Sequence, residues 1–288
     1  MKYAKLIIFS VICLMVGGAV FFTGFAMNDF DIDRLSTEGE FFSRTYTESA
    51  AVTAIEIHDN DAKIEFVATN SDQIYITYNE TNLKTYTIEN HDSVLTMTGN
   101  DQRKWYHHIF NLSFKTPVIT VYIPRDMQVS VTTETANADI LAKDLTFQSL
   151  SFATSNSEIE LDGVNVLKDC TLQTANASVL LEHVVINGAL TAGTSNDAIE
   201  TNQVQADTVS LGTTNGNIEF ENLFANNSIH LSTTNDDIEG TVADSILSFN
   251  IQSSTTNGEN NLPVSLSGGE KQLSVNTTNG DIDIMFLQ

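Results

Sequence analysis

An internal repeat of about twenty residues constrains this chain more than any other feature. Eight segments align on one asparagine, at Asn137, Asn156, Asn176, Asn196, Asn215, Asn235, Asn257 and Asn279, with spacings of 19, 20, 20, 19, 20, 22 and 22. Thr stands two positions before the asparagine in every copy, and a β-branched aliphatic residue stands three positions after it in seven, Asn260 being the exception. Upstream of each Thr the apolar residues alternate, as in Leu150 and Phe152, Cys170 and Leu172, Val209 and Leu211, Ile229 and Leu231, and Leu273 and Val275. Period two is the spacing of a strand with one buried face. Each copy therefore reads as a strand, a corner at Thr-x-Asn followed by Gly, Asp, Ala or Ser, and a second short strand. Asn followed by Gly or Asp tolerates the tight backbone that such a corner needs.

A rung of twenty residues cannot bury its own apolar face, so successive rungs must stack, Thr over Thr and Asn over Asn. The expected fold is all-β, a single-stranded parallel β-solenoid of the β-helix type. At about 4.8 Å per rung, eight rungs give a rod on the order of 40 Å long. The Asn column is read as a structural ladder, because hydrogen bonding along the stack explains all eight copies without a ligand. Cys170 takes a place filled in other copies by Leu150, Leu190, Val209 or Ile229, which makes it a core residue and not a nucleophile.

Between residues 51 and 127 the strand pattern continues without the twenty-residue period, and this part is expected to start and cap the stack. Within it, residues 103–114 form an insertion carrying Trp105, Tyr106, His107, His108 and Phe110, which includes the only tryptophan and the only adjacent histidines. Aromatic residues beside Arg103 and Lys104 make this the candidate partner contact, with a cap over one end of the rod as the alternative. A metal role for His107 and His108 is disfavoured, since adjacent strand residues face opposite ways. At the other end, residues 282–287 read as a final strand whose open edge Asp281 and Asp283 would guard. Residues 128–288 form the regular eight-copy part.

Residues 6–27 contain no charge. At about 1.5 Å per residue these 22 positions cover a bilayer core of roughly 30 Å. Lys2 and Lys5 precede the segment and Asp29, Asp31 and Asp33 come after it, so the positive-inside bias leaves a cytoplasmic stub at residues 1–5 and the rest of the chain outside the cell. A transmembrane signal anchor is the reading; a cleaved signal peptide, with Gly24 and Ala26 as small residues near a cleavage site, is the alternative. Residues 28–50 read as a juxtamembrane connector.

Composition removes several functions. Lys plus Arg total 13 against 37 Asp plus Glu, a formal charge of −24 that opposes nucleic-acid binding. Two cysteines 157 residues apart support neither a disulfide framework nor a thiolate zinc site. A lyase acting on acidic sugars needs cations around its substrate, yet from residue 128 onward the only basic residues other than His are Lys143, Lys168 and Lys271. A hydrolase needs paired carboxylates, and Glu158 with Glu160, Asp237 with Glu239 and Asp281 with Asp283 supply them. Those pairs recur at one rung position, which fits a solvated acidic face better than a catalytic site. No cofactor and no resident metal is expected; the acidic face could hold Ca²⁺ loosely, although the glycine-rich calcium-binding repeat is absent.

Val121-Tyr122-Ile123-Pro124 with the subsequent Thr-x-Asn units, clearest at residues 277–282, resembles the toastrack family of bacterial envelope proteins, also described as putative adhesins with β-strand repeats, over about residues 51–288. The single N-terminal span is similar to that of its membrane-anchored LiaG-like members in Gram-positive envelope-stress operons. The resemblance implies an extracytoplasmic β-solenoid without known catalysis and brings no binding residues. Several copies replace the family's Gly, with Ala138, Ser157, Ala177, Asp197 or Asp236, so corners of different shape are expected. The combined expectation is a non-enzymatic, membrane-anchored extracellular scaffold that contacts envelope-stress membrane proteins or cell-wall polymer. An adhesin for carbohydrate or host surfaces is the alternative, a glycan-active enzyme is less favoured, and capture of cationic peptides by the acidic charge is a further possibility.

Overall fold

A computed structural model describes residues 2–27, 40–104 and 116–287. Trp105, Tyr106, His107, His108 and Phe110 lie outside the described residues, as do residues 28–39 of the connector. The chain divides into two units, one of residues 1–42, 80–85 and 100–116 and the other of residues 43–79, 86–99 and 117–288.

In the first unit, Lys2–Met27 is one helix. Its stretch Phe9–Met27 is long and apolar enough to cross a membrane, and none of that stretch is buried. The same unit holds a short turn in which Thr81 Oγ1 accepts from the amides of Leu83 and Lys84. Arg103 pairs with Asp101 at 2.6 Å. Burial opposes the Asp101 charge, but the Arg103 bonds outweigh it and hold the carboxyl below its usual range.

The second unit is a parallel solenoid whose rungs have three sides. The first sides stack in the order Val94–Asp101, Ala54–His58, Ser130–Glu134, Ser149–Ala153, Cys170–Gln173 and Ala189–Gly193. The later halves of Ile199–Gly212 and Ile218–Ser232 come next, then Lys271–Asn276, then Phe249–Ser254. The second sides stack in parallel, from Val118–Pro124 through Lys63–Thr69, Ile140–Lys143 and Ile159–Asp162 to Ile282–Phe286. The third side is short, as in Thr146–Phe147 and Asn165–Val166. It alternates as well, with Leu145 and Phe147, Val164 and Val166, Val184 and Ile186, Val204 and Ala206, and Leu223 and Ala225 buried, a third strand per copy that the two-strand reading passes over.

Alternation becomes columns in the core. Leu150, Cys170, Leu190, Val209, Ile229 and Leu273 lie one above another, as do Ile140, Ile159, Val179, Ile199, Ile218, Ile238 and Ile282. All of them are buried. Near the N-terminal end Phe66 stacks on Phe152 with ring centroids 5.3 Å apart. The Cys170 thiol, enclosed by this column, is pushed up to about 12 by burial and is inert as a nucleophile.

The Asn ladder is continuous. Each Asn Nδ2 donates to the Oδ1 of the asparagine next to it in the stack, seven bonds of 2.7–2.8 Å. Asn137 Nδ2, at the start, donates to the Asp61 carboxylate at 2.9 Å. The Thr column lies just inside. Thr174, Thr194, Thr213, Thr233, Thr277 and Thr255 each donate to the backbone carbonyl at the corner of a neighbouring rung. At the Asn215 corner a Cβ on Gly216 would sit 1.9 Å from the Asp197 carbonyl oxygen, so that corner has room only for glycine.

Both ends depart from chain order. Lys271–Asn276 inserts between Ile218–Ser232 and Phe249–Ser254, so Asn279 bonds to Asn235 and Asn257 becomes the outermost member of the ladder. This corrects the expectation that residues 282–287 form an open edge guarded by Asp281 and Asp283. Those acids lie one rung in, and the antiparallel strand Ser265–Leu266 covers part of the true outer strand. Asn260 replaces the usual aliphatic because its rung is terminal: its Nδ2 donates to Ser253 Oγ and its Oδ1 accepts from the Leu262 amide. At the N-terminal end, residues 54–69 form a rung in register with the repeat, although its corner is Asp59-Asn60-Asp61. The connector read over residues 28–50 contains a strand, Phe42–Thr47, beside Tyr75–Glu80.

Candidate interaction surface

Outward positions of the second side carry Glu160, Leu180, Glu200, Glu219, Glu239 and Asp283 in one register column. A neighbouring outward column contributes Glu182, Asn202 and Glu221. Between them runs a groove of about 560 Å³ lined by seven carboxylates, those of Glu160, Glu182, Glu200, Glu219, Glu221, Glu239 and Asp283, with Leu180, Phe220 and Met285 supplying apolar contact. Among the described residues, no Lys or Arg lines it. Desolvation, with the stacked Glu219 charge next, raises the Glu200 carboxyl above its usual range. Like charges at rung spacing repel, so this face is poised to lower its energy when cations arrive.

The first side differs. Its outward column Ser151, Thr171, Thr191, Ser210, His230 and Ser274 offers hydroxyls and one imidazole. From Ser151 to Ser274 this column carries no carboxylate, in contrast to the second-side column at the same rungs.

The acid pairs read from sequence divide between two roles. Glu160, Glu239 and Asp283 line the groove. Their partners serve the Asn corner: Asp237 Oδ1 accepts from the Asp281 amide and Asp281 Oδ1 from the Glu259 amide, both at 2.7 Å, while Glu158 accepts from Ser178 Oγ. These three carboxylates are structural ligands of the stack. Sequence reasoning misses Glu182, Glu200, Glu219 and Glu221, although a signal exists. Residues four after the asparagine are Glu160, Glu200, Glu219, Glu239 and Asp283, a fixed offset visible once the copies are aligned.

A second corner is equally hidden in the sequence. Asp144, Gly163, His183, Gln203 and Asn222, which end the second side of successive rungs, all have φ between 52° and 64°. Lys143 Nζ donates to Asp162 across the two lowest of these rungs. The Lys143 hydrogen bond holds the Asp162 carboxyl below its usual range.

The Toastrack DUF4097 family model matches residues 52–285. A search of curated proteins found no sequence match. Among solved structures, a putative lipid binding protein from Parabacteroides distasonis is similar at 12% identity, with a TM-score of 0.50, over 87% of this chain and 98% of that one. A putative adhesin from Bacteroides fragilis is similar at 12% identity, with a TM-score of 0.47, over 85% of this chain and 97% of that one. With its match running from the first rung to the last strand, this chain belongs to the Toastrack DUF4097 family.

Proposed function

We propose that this protein is a non-enzymatic interaction module of the bacterial cell envelope, anchored by its N-terminal helix and displayed outside the membrane. In this reading it docks cationic segments of envelope proteins on the acidic side of the solenoid and thereby modulates an envelope-stress response. The observation that carries the proposal is the groove with seven carboxylates and, among the described residues, no Lys or Arg along it. An apolar component from Leu180, Phe220 and Met285 suits an amphipathic cationic segment better than a bare ion. Lys2 and Lys5 before the Phe9–Met27 stretch support an outward orientation for the residues beyond it.

The test is crosslinking in living cells and then recovery of the full-length chain, comparing the native protein with Glu200→Lys/Glu219→Lys/Glu239→Lys. Envelope proteins recovered by the native chain and lost from the charge-reversed one are the expected result. Identical recovery by both, or recovery of no envelope component, removes the proposal. Purified partner segments should release steeply as salt rises, because the attraction is screened within about 10 Å at 0.1 M ionic strength. Intact mass of the membrane-extracted protein distinguishes the anchor from a cleaved signal peptide.

A further inference from the structure

At the left-handed corner three metal-ligating side chains meet on two successive rungs. Asp162 ends the strand Ile159–Asp162, and Glu182 lies directly over it in register. His183 comes next in the chain, with φ 54°. Neighbours on a flat strand face opposite ways, but the left-handed residue breaks that alternation and brings Glu182 and His183 to the same side. One donor atom from each of Asp162, Glu182 and His183 falls within 4.8 Å of the others.

His183 Nδ1 stands 3.7 Å from Asp162 Oδ1 and 3.8 Å from Glu182 Oε1, too far for hydrogen bonds in either case. Ligands about 2.0–2.1 Å from a tetrahedral zinc are about 3.3 Å from each other, so a small inward shift of partly exposed side chains completes the geometry. On the rung below, the Gly163 amide donates to the Glu182 carbonyl oxygen at 2.9 Å, which ties the two left-handed corners together beneath the cluster. One rung above Glu182 in the same register column stands Asn202, whose Oδ1 has no hydrogen-bond partner. An imidazole with two carboxylates suits zinc, copper or nickel, whereas calcium takes six to eight oxygens.

We propose that Asp162, Glu182 and His183 bind one Zn²⁺ ion, with water in the remaining position and the Lys143 ammonium as the cation that competes for Asp162. Lys143 holds the other carboxylate oxygen, Oδ2, and so leaves Oδ1 toward His183.

The test is calorimetric titration of ZnCl₂ into the full-length chain in detergent, after treatment with chelator. One saturable site is expected. His183→Gln should weaken it at least tenfold, and His183→Asn, which keeps a residue tolerant of the left-handed backbone, should do the same with the fold intact. Lys143→Met should tighten it about tenfold by removing a positive charge beside the ion. Glu270→Gln, an exposed position outside both the three ligands and the acidic groove, should leave it unchanged, and Zn²⁺ should raise the melting temperature of the native chain but not of the His183 variants. Absence of a saturable site, affinity indifferent to both His183 variants, or Ca²⁺ binding as tightly as Zn²⁺ would each overturn the proposal.

Discussion

The two corners that close the second side of each rung are built on different principles. At one, Thr and Asn recur in identical form over eight rungs, because each asparagine bonds to its equivalent and, in every copy after Thr135, each threonine bonds to the corner carbonyl of a neighbouring rung. At the other, Asp144, Gly163, His183, Gln203 and Asn222 share only a positive φ. A side-chain ladder demands identity at every level, since one wrong residue orphans two neighbours. A backbone conformation demands only a residue that tolerates it, so the type is left free, and His183 is able to take on a second task. Function has room at the corner that the stack does not specify.

The same substitution at both corners should separate these principles. Gly216→Ala places a Cβ 1.9 Å from the Asp197 carbonyl oxygen, where backbone must move, and a loss of about 3 kcal/mol is expected from chemical denaturation. Asn196→Ala removes the bonds to Asn176 and from Asn215 and should cost about 1–2 kcal/mol, read as a shift of the denaturation midpoint. Gly163→Ala meets only the flexible Asp144 side chain at 2.7 Å but keeps φ at 64°, so about 1 kcal/mol is expected. Gln203→Gly should go the other way, stabilising by about 0.5 kcal/mol through relief of the left-handed strain. If Gly163→Ala proved as costly as Gly216→Ala, the distinction between the corners would fail.

The smallest effect concerns the acidic face. Because the Glu200 carboxyl is raised in the folded chain, the folded state takes up its proton at a higher pH than the unfolded chain. Stability from this group is thus gained as pH falls toward the carboxylate range and lost as pH rises through the folded value. Glu200→Gln should flatten the rise in melting temperature expected as pH falls from neutral toward the carboxylate range. Further acidification works against the fold at Asp244. There desolvation is outweighed by the bond from Lys271 Nζ, so its carboxyl lies below the usual range, and its contribution disappears once it protonates. A melting temperature falling monotonically from neutral pH in the native chain would refute the role given to Glu200.

Much of the solenoid was legible because its core and its Asn corner write themselves into sequence at fixed offsets. Leu150, Cys170 and Leu190 are interchangeable in a column that asks only for apolar volume, and period two reveals it. Stack order at the ends was not legible. Asn257 and Asn279 sit in nearly the same words, Thr-Thr-Asn-Gly, and either could neighbour Asn235. Lys271 helps decide it: its ammonium donates to Ala225 O and Asp244 and lies 4.3 Å from the Phe224 ring centroid, contacts that fasten the inserted rung to the one before it. Polar Ser253 and Asn260 at inward positions mark the other rung as terminal.

By itself the sequence determined which residues face inward, where one corner falls and that the chain carries a strongly acidic charge behind an apolar N-terminal segment. Each of these is a local or periodic property, set by the spacing of side chains along one strand. Only tertiary structure decided the order of the end rungs, the groove that seven carboxylates line together and the meeting of Asp162 with Glu182 and His183. Those depend on which rung lies against which, and in a stack of near-identical repeats neighbours are chosen by contacts made far apart in the chain.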